Sequence, residues 1–217
     1  MAALFALMVV AGIAFAVFQP ITVLPRMRLA PGYSLTSADG TRLTSEDARS
    51  TLTLYSFAPV DCGEACDELF ATLTAVRDQV AADVDLDGTN FRIVTIALDD
   101  LDPAEAPAEL RDATIRSGAD GSEWRWVGGD ALEVRTVVGS GFRVWSETGP
   151  DGEIAFDPAF VLVDGNGLIR GDYRYQTVSS DDDKLIRHTE ILAEEVRNAD
   201  GPAAVAYEAA HLFLCYP

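Results

Sequence analysis

The sequence predicts an α/β fold with a mostly parallel central sheet, and two observations support this prediction. Strand-like and helical stretches alternate between residues 51 and 138, which is typical of parallel strands whose connecting helices cover the sheet. Residues 158–198 then supply a hairpin followed by a helix. A closing antiparallel hairpin and helix of this kind favour a thioredoxin-like fold over a doubly wound sheet.

Each predicted element has a local signal. Asp39-Gly40, which favours a tight turn with positive φ, lies between two short strands. Apolar residues recur at helical spacing over 66–84. Asp102 and Pro103 are predicted to be the N-cap and first residue of another helix. The full order is a hairpin at 33–43, a strand at 51–59, a helix at 66–84, a strand at 91–98, a helix at 103–115, a strand at 123–127, a helix at 130–138, a hairpin at 158–175 and a helix at 181–198.

The two ends of the chain are predicted to lie outside this domain, which spans residues 33–200. Residues 1–24 carry no charged side chain, and about 18 apolar residues suffice to span most of a bilayer. No convincing cleavage site follows Phe18, so we expect one uncleaved transmembrane anchor. Residues 25–32, with two prolines and a glycine, are predicted to be a linker. Residues 201–217 are predicted to form an extra amphipathic helix.

The composition is strongly acidic. The chain has 35 Asp and Glu residues against 16 Lys and Arg residues, which gives a formal net charge of −19. A surface with this charge repels phosphate backbones, so nucleic acid is excluded as the expected partner. The charge suits a basic protein partner, or it keeps the domain soluble.

Cys62 and Cys66 lie where the strand at 51–59 gives way to a helix. Four residues apart on a helix, they would share one face with Cα atoms about 6 Å apart, within reach of a disulfide. The helix N-terminus favours thiolates, whereas the nearby Glu64, Asp67 and Glu68 disfavour them. Two thiolates suit Cu(I) or a two-electron dithiol couple. The alternatives are a structural disulfide in an exported domain and two ordinary buried cysteines, and the residues alone favour neither these nor the functional interpretations.

Four stretches in the predicted domain resemble one known family in order and spacing. They read YSLTSADGTRLTSEDARSTLTLYSFAPVDCGEACDELFATLTAV, FRIVTIALDDLDPAEAPAELRDA, WRWVGGDALEVRTVV and FVLVDGNGLIRGDY. Together they are similar to the Sco/SenC proteins, which are membrane-anchored, thioredoxin-fold copper chaperones that assist assembly of the binuclear copper site of cytochrome c oxidase. The resemblance covers about residues 33–198 and includes the family's C-x-x-x-C motif at Cys62 and Cys66.

The resemblance implies a function, a partner and a location. Cys62 and Cys66 would be both the copper ligands and the redox-active thiols, with Cu(I) preferred over Cu(II) because two thiolates are soft donors. The implied partner is the copper-site subunit of a respiratory oxidase. The implied location is a bacterial plasma membrane, with one membrane pass and the soluble domain on the extracytoplasmic face.

The chain departs from the family pattern beside the cysteines and at the histidine. Gly63 and Asp67 stand where the family usually has prolines. The family's copper-binding histidine precedes the closing hairpin, and that position falls on Phe156, followed by Asp157. An Asp157 carboxylate would be a hard donor for a soft ion. Pro158 lies where thioredoxin-like folds carry a cis-proline that faces the cysteines, and we expect it to be cis.

The remaining candidate residues have weaker signals. His211 and Cys215 would share one face of the last helix, and they would complete a copper site if that helix folded back over the cysteine pair. His188 is expected to face solvent. The three tryptophans are expected in the core or at a strand edge; they are Trp124, Trp126 and Trp145. The aspartates that follow the strand at 91–98 are expected to lie in a structural loop; they are Asp99, Asp100 and Asp102.

Three hypotheses follow. The first is a Sco/SenC-like copper chaperone that carries Cu(I), reduces a partner's disulfide, or does both. The second is a thiol–disulfide reductase without a copper role, favoured by Pro158 and by the absent histidine. The third is a non-catalytic subunit of a membrane complex that docks through its acidic face or its last helix. A metallochaperone is favoured over an enzyme, although thiol–disulfide oxidoreductase activity stays an alternative.

Overall fold

The computed structural model describes residues 21–174 and 181–213, together with residues 2, 5 and 6. The strands are β1 (Arg28–Leu29), β2 (Ser34–Ser37), β3 (Arg42–Thr44), β4 (Thr51–Ala58), β5 (Asn90–Ala97), β6 (Trp124–Gly128), β7 (Ser146–Thr148), β8 (Ile154–Phe156), β9 (Phe160–Val163) and β10 (Leu168–Tyr173). The helices are α1 (Asp67–Asp83), α2 (Ala106–Ser117), α3 (Ala131–Val134), α4 (Asp182–Arg197) and α5 (Gly201–Phe213), with 3-10 turns at Ser45–Ala48 and Gly63–Cys66 and a π-helical segment at Arg135–Phe142.

Eight strands form one sheet in the order β1-β10-β9-β4-β5-β6-β2-β3, while β7 and β8 form a separate pair. The strands β4, β5 and β6 are parallel, and the hairpin β9–β10 runs antiparallel beside β4. All eight residues of β4 are buried, as expected for a central strand that is covered on both faces. The thioredoxin-like prediction is therefore confirmed.

The alternation of side chains along β4 divides the core between the two faces of the sheet. Tyr55 and Phe57 pack under α3 and the π-helical segment. Leu52 and Leu54 pack on the opposite face, against α1 and α4. Next to this second cluster, Cys66 packs with residues of α2 and β6. The cysteine pair thus lies at the carboxyl end of β4, where parallel sheets commonly place their functional groups.

Two predicted helices have different bounds in the structure. The helix predicted from Pro103 begins at Ala106, because Asp102 organises a preceding turn: its carboxylate accepts a hydrogen bond from the Ala104 amide, 2.8 Å away. The helix predicted at 130–138 begins as expected with a capping box at Asp130, but it continues as a π-helical segment to Phe142. The hairpin β7–β8 was not predicted.

The segment before the domain is bound to it. Val23 and Leu24 are buried, and Val23 packs against Tyr207 and Ala210 of α5, the predicted extra C-terminal helix. Within the predicted linker, β1 pairs with β10. In the described part of the chain, no helix is both long and apolar enough to cross a membrane. Because most of residues 1–24 lie outside that part, the anchor stays a prediction.

Candidate functional site

Cys62 and Cys66 are joined by a disulfide, with 5.7 Å between their Cα atoms. Cys62 immediately precedes the 3-10 turn Gly63–Cys66, and Cys66 is the last residue of that turn. The turn closes through a hydrogen bond from the Ala65 amide to the Cys62 carbonyl, 3.1 Å long. Gly63 has φ of 48°, in the left-handed region that a residue without Cβ adopts at low cost. This turn brings the two sulfurs together before α1 begins.

The two cysteines differ in exposure. Cys66 is fully buried, where it packs in one cluster with Trp126 and Ala97. Cys62 is only partly buried. A thiolate must be accessible to attack another disulfide, and Cys62 is the more accessible of the two sulfurs.

The loop before the cysteines is held on two sides. The Val60 amide donates a hydrogen bond to the Asp99 carboxylate, 2.7 Å away, and the Val60 carbonyl accepts one from Arg116, 2.6 Å away. Burial raises the pKa of Asp99, although the bond from Val60 opposes the shift. Asp99 therefore has a structural role, as the sequence predicted.

Trp124 and Trp126 are buried core residues as expected, whereas Trp145 is 50% exposed beside β7.

Phe156, which the resemblance predicts at the position of the family's histidine, has a packing role in the structure. It is half-buried and contacts all three main core clusters, including the one that contains the cysteines. Asp157 is exposed, and its amide donates to the Trp145 carbonyl, 3.3 Å away. Among the described residues, no group of three His, Cys, Asp or Glu side chains is arranged to hold a metal ion. Asp157 consequently does not complete a three-ligand site with the cysteines.

Three sequence predictions require correction or stay outside the structure. Pro158 is not cis, since the described residues contain no cis peptide bond; the trans form is the favoured one for a proline that enters a strand. His211 does not face the cysteines, because its Nε2 atom lies 2.9 Å from the Glu195 carboxylate. Cys215 lies outside the described residues, so its proposed pairing with His211 stays a prediction.

His188 is buried rather than solvent-facing. Its Nδ1 atom lies 2.5 Å from the hydroxyl of Tyr173. Leu185 and Leu192 lie three residues before and four residues after it on the buried face of α4. This spacing of apolar residues around His188 was the signal in the sequence that could have placed it inside.

We expect His188 to make the folded state less stable in acid. Burial, and to a smaller extent Lys184 and Arg187, lower its pKa to about 4, while Asp181 acts in the opposite direction. The unfolded chain then binds the extra proton between pH 6.5 and pH 4, so stability is lost as pH falls through that window. The expected loss from this group is about 2 kcal/mol between pH 8 and pH 5, measured by urea unfolding.

The control for this prediction is His188→Gln, which removes the titrating group. Its stability should fall less steeply than that of the native sequence over the same pH range. Equal slopes for the two proteins would show that His188 does not carry the effect.

Comparisons with known proteins agree with this fold. The family model described as SCO1/SenC matches residues 23–193. No curated protein sequence matches the chain. The chain is similar to the crystal structure of a SCO1/SenC family lipoprotein from Bacillus anthracis, with 18% identity over 76% of this chain and 95% of that one and a TM-score of 0.65. BsSco, described as a Sco family cytochrome c oxidase assembly protein with a disulfide switch, matches at 17% identity over 80% and 98% with a TM-score of 0.64.

A third similar structure is that of Arabidopsis thaliana ScoI with copper bound. It shares 16% identity over 74% of this chain and 98% of that chain, with a TM-score of 0.62. At these identities the structural matches establish the fold, while the family model establishes the family.

Proposed function

The chain belongs to the SCO1/SenC family, and from this premise we propose that it is a copper chaperone and thiol–disulfide protein for a respiratory cytochrome oxidase. The observation that carries the proposal is the C-x-x-x-C pair at the end of β4, with Cys62 accessible and Cys66 buried. Two relatives support it: BsSco is described as an oxidase assembly protein, and the Arabidopsis ScoI structure holds copper.

Copper would be the cargo of this site, and the donor set fits Cu(I). The pair is oxidised in the structure. Two electrons and two protons convert the disulfide to two thiols, and a Cu(I) ion bound to both sulfurs then displaces the two protons. Cu(II) prefers nitrogen donors, and Phe156 supplies none at the position of the family's histidine.

The same pair can reduce a disulfide in the partner's copper site. The thiolate of reduced Cys62 would attack one partner sulfur, and the other partner sulfur would leave as a thiolate. Cys66 would then attack Cys62 in this mixed disulfide, which releases the partner with both sulfurs reduced and restores the Cys62–Cys66 disulfide. Two electrons pass to the partner, which is then competent to receive copper.

We also propose the cellular arrangement that the sequence predicts. Residues 1–24 would anchor the chain in a bacterial plasma membrane, with the domain of residues 33–200 on the extracytoplasmic face. The Bacillus anthracis relative is described as a lipoprotein, which is consistent with membrane attachment. The partner would be the copper-site subunit of a respiratory oxidase.

Anaerobic Cu(I) titration of the full chain in detergent tests the proposal. Against a competing Cu(I) chelator, and with Cys215→Ala as background, the reduced chain should take up about one equivalent of Cu(I). Uptake should be lost in Cys62→Ser, in Cys66→Ser and in the oxidised chain, because each lacks one or both thiolates.

A second candidate function is thiol–disulfide reduction without copper, and Phe156 favours it because no third ligand joins the two sulfurs in the described residues. The titration separates the candidates. A reversible dithiol couple with no competitive Cu(I) uptake would leave only the reductase. Oxidase assembly that persists in the Cys62→Ser/Cys66→Ser double variant would exclude both candidates and favour a non-catalytic subunit.

A further inference from the structure

A groove of about 700 Å³ lies beside the hairpin β7–β8, between the loop after β5 and the π-helical segment. Its floor is apolar, and its rim carries two arginines and the carboxylate of Asp100. Leu98, Val134, Val138 and Val144 contribute apolar side chains, and Arg135 and Arg143 line the same groove. Trp145, which is 50% exposed, forms part of the wall.

We propose that this groove binds an extended, acidic segment of the partner protein, which adds as a strand to the free edge of β7. The inference rests on the proposed function, since it names the surface that would present a partner to the cysteine pair. The occupant would alternate apolar side chains, which enter the groove, with carboxylates that meet the two arginines.

The edge of β7 is available for such a strand. The strand pairs with β8 on one side and has no strand partner on the other within the described residues. All three of its residues are exposed, and Ser146 and Thr148 line the groove. An open strand edge presents unpaired backbone donors and acceptors, and peptide recognition by strand addition uses such an edge next to pockets for alternate side chains.

The charge of the groove opposes that of the chain. Neither Arg135 nor Arg143 forms an ion pair with a carboxylate of the described residues. Arg28 adds positive charge close by, since it donates to the carbonyl of Phe142, 3.1 Å away. Arg174 also donates to that carbonyl, but its charge is paired with Asp172. Asp100 also lines the groove, where its carboxylate accepts a hydrogen bond from the Ala131 amide, 2.8 Å away. In a chain of net charge −19, two arginines against this one carboxylate leave the groove with a positive charge, which is complementary to an acidic partner segment and discriminates against a basic one.

The backbone of Arg143 supports a role for its side chain. Arg143 ends the π-helical segment with φ of 63°, in the left-handed region. Glycine adopts that conformation at less cost, so an arginine there is uncommon. The fold therefore tolerates a less favoured backbone conformation where it places a cation at the rim of the groove.

The hairpin β7–β8 links the groove to the cluster that contains the cysteines. Ser146 of β7 pairs with Phe156 of β8, and Phe156 packs in the cluster of Cys62 and Cys66. A strand added to β7 would lie about 10 Å from β8, which is two strand spacings.

Peptide binding to the full chain in detergent tests the proposal, with fluorescence anisotropy as the readout. The probe is an acetylated and amidated nonapeptide of alternating valine and glutamate. Two matched peptides replace glutamate by lysine or the central residue by proline, which cannot donate a backbone hydrogen bond. We expect the glutamate peptide to bind at least about tenfold more tightly than either matched peptide.

The protein variants are matched in charge. Arg135→Glu/Arg143→Glu should reverse the preference between the glutamate and lysine peptides, whereas Arg111→Glu/Arg187→Glu, the same charge change on α2 and α4, should retain it. Arg143→Gly provides a second variant whose backbone suits the left-handed position, and it should weaken glutamate-peptide binding without loss of the fold.

The outcomes separate this inference from the proposed function. Equal binding of the three peptides, or no binding at millimolar concentration, overturns the groove proposal even if the chain takes up Cu(I). Reversed preference with unchanged Cu(I) uptake supports it. If Cu(I) uptake fails while the charge and proline discrimination hold, the copper role is lost and the groove remains a peptide site.

Discussion

In a Cys215→Ala background, the reduced Cys66→Ser chain is expected to form a stable mixed disulfide with oxidised glutathione, while the reduced Cys62→Ser chain reacts at least about 100-fold more slowly. The reason is the difference in exposure. Cys66 is fully buried against Trp126 and Ala97, whereas Cys62 is partly exposed at the start of the turn. The measurement is the rate at which the glutathione adduct appears in intact-protein mass spectra.

The native pair is the reference for this experiment. It should pass through the adduct only briefly, because Cys66 resolves the mixed disulfide and closes the 62–66 bridge. Similar adduct rates for the two serine variants would contradict the assignment of Cys62 as the attacking sulfur. Unfolding of both variants at the same urea concentration checks that neither rate reflects a loosened fold.

Arg170→Met is expected to lower the free energy of unfolding by about 3–5 kcal/mol. Arg170 is 3% exposed and lies 3.0 Å from Asp164 and 2.7 Å from Glu195. It also donates to the carbonyls of Leu24 and Pro25, so all of its N–H groups are used. Methionine fills much of the space but leaves Asp164 without its cation, and Glu195 keeps only the more distant Arg26, 3.8 Å away. Urea unfolding at neutral pH measures the loss.

Lowering the pH should reduce the difference in the free energy of unfolding between Arg170→Met and the native chain. Burial alone would raise the pKa of Glu195, and the hydrogen bonds from Arg170 and His211 hold it below its ordinary value. Without Arg170 the carboxylate takes up a proton more readily on folding, so the variant regains stability as pH falls.

The control is Arg111→Met, at an exposed position on α2, which should lower the free energy of unfolding by about 0.5 kcal/mol or less. A comparable loss there would show that the effect is not specific to the buried cluster.

Local patterns of the sequence predicted the elements that position the cysteines. The apolar run of β4, the helical spacing in α1 and the Asp39-Gly40 turn each depend on neighbouring residues, and each is present in the structure. The helical spacing of apolar residues around His188 likewise indicates that it lies on the buried face of α4. The turn signal Gly149-Pro150-Asp151-Gly152 was also present in the sequence, and it marks the hairpin β7–β8 that was not predicted.

Other features depend on distant partners and had no local signal. Arg170 is buried because carbonyls about 145 residues earlier in the chain and a carboxylate 25 residues later converge on it. The π-helical segment continues past Gly139 and Gly141, and packing of Val137, Val138 and Phe142 against the sheet accompanies it. A pattern of neighbours cannot indicate contacts of this kind, because they are made only when the sheet is assembled.

The place of Phe156 has a consequence for how the chain tolerates substitution. Phe156 joins the packing on both faces of the sheet. A polar residue at this position would remove apolar contacts from three clusters at once, and only compensating substitutions in each would repair them. One half-buried ring therefore couples regions of the core that the sheet otherwise separates.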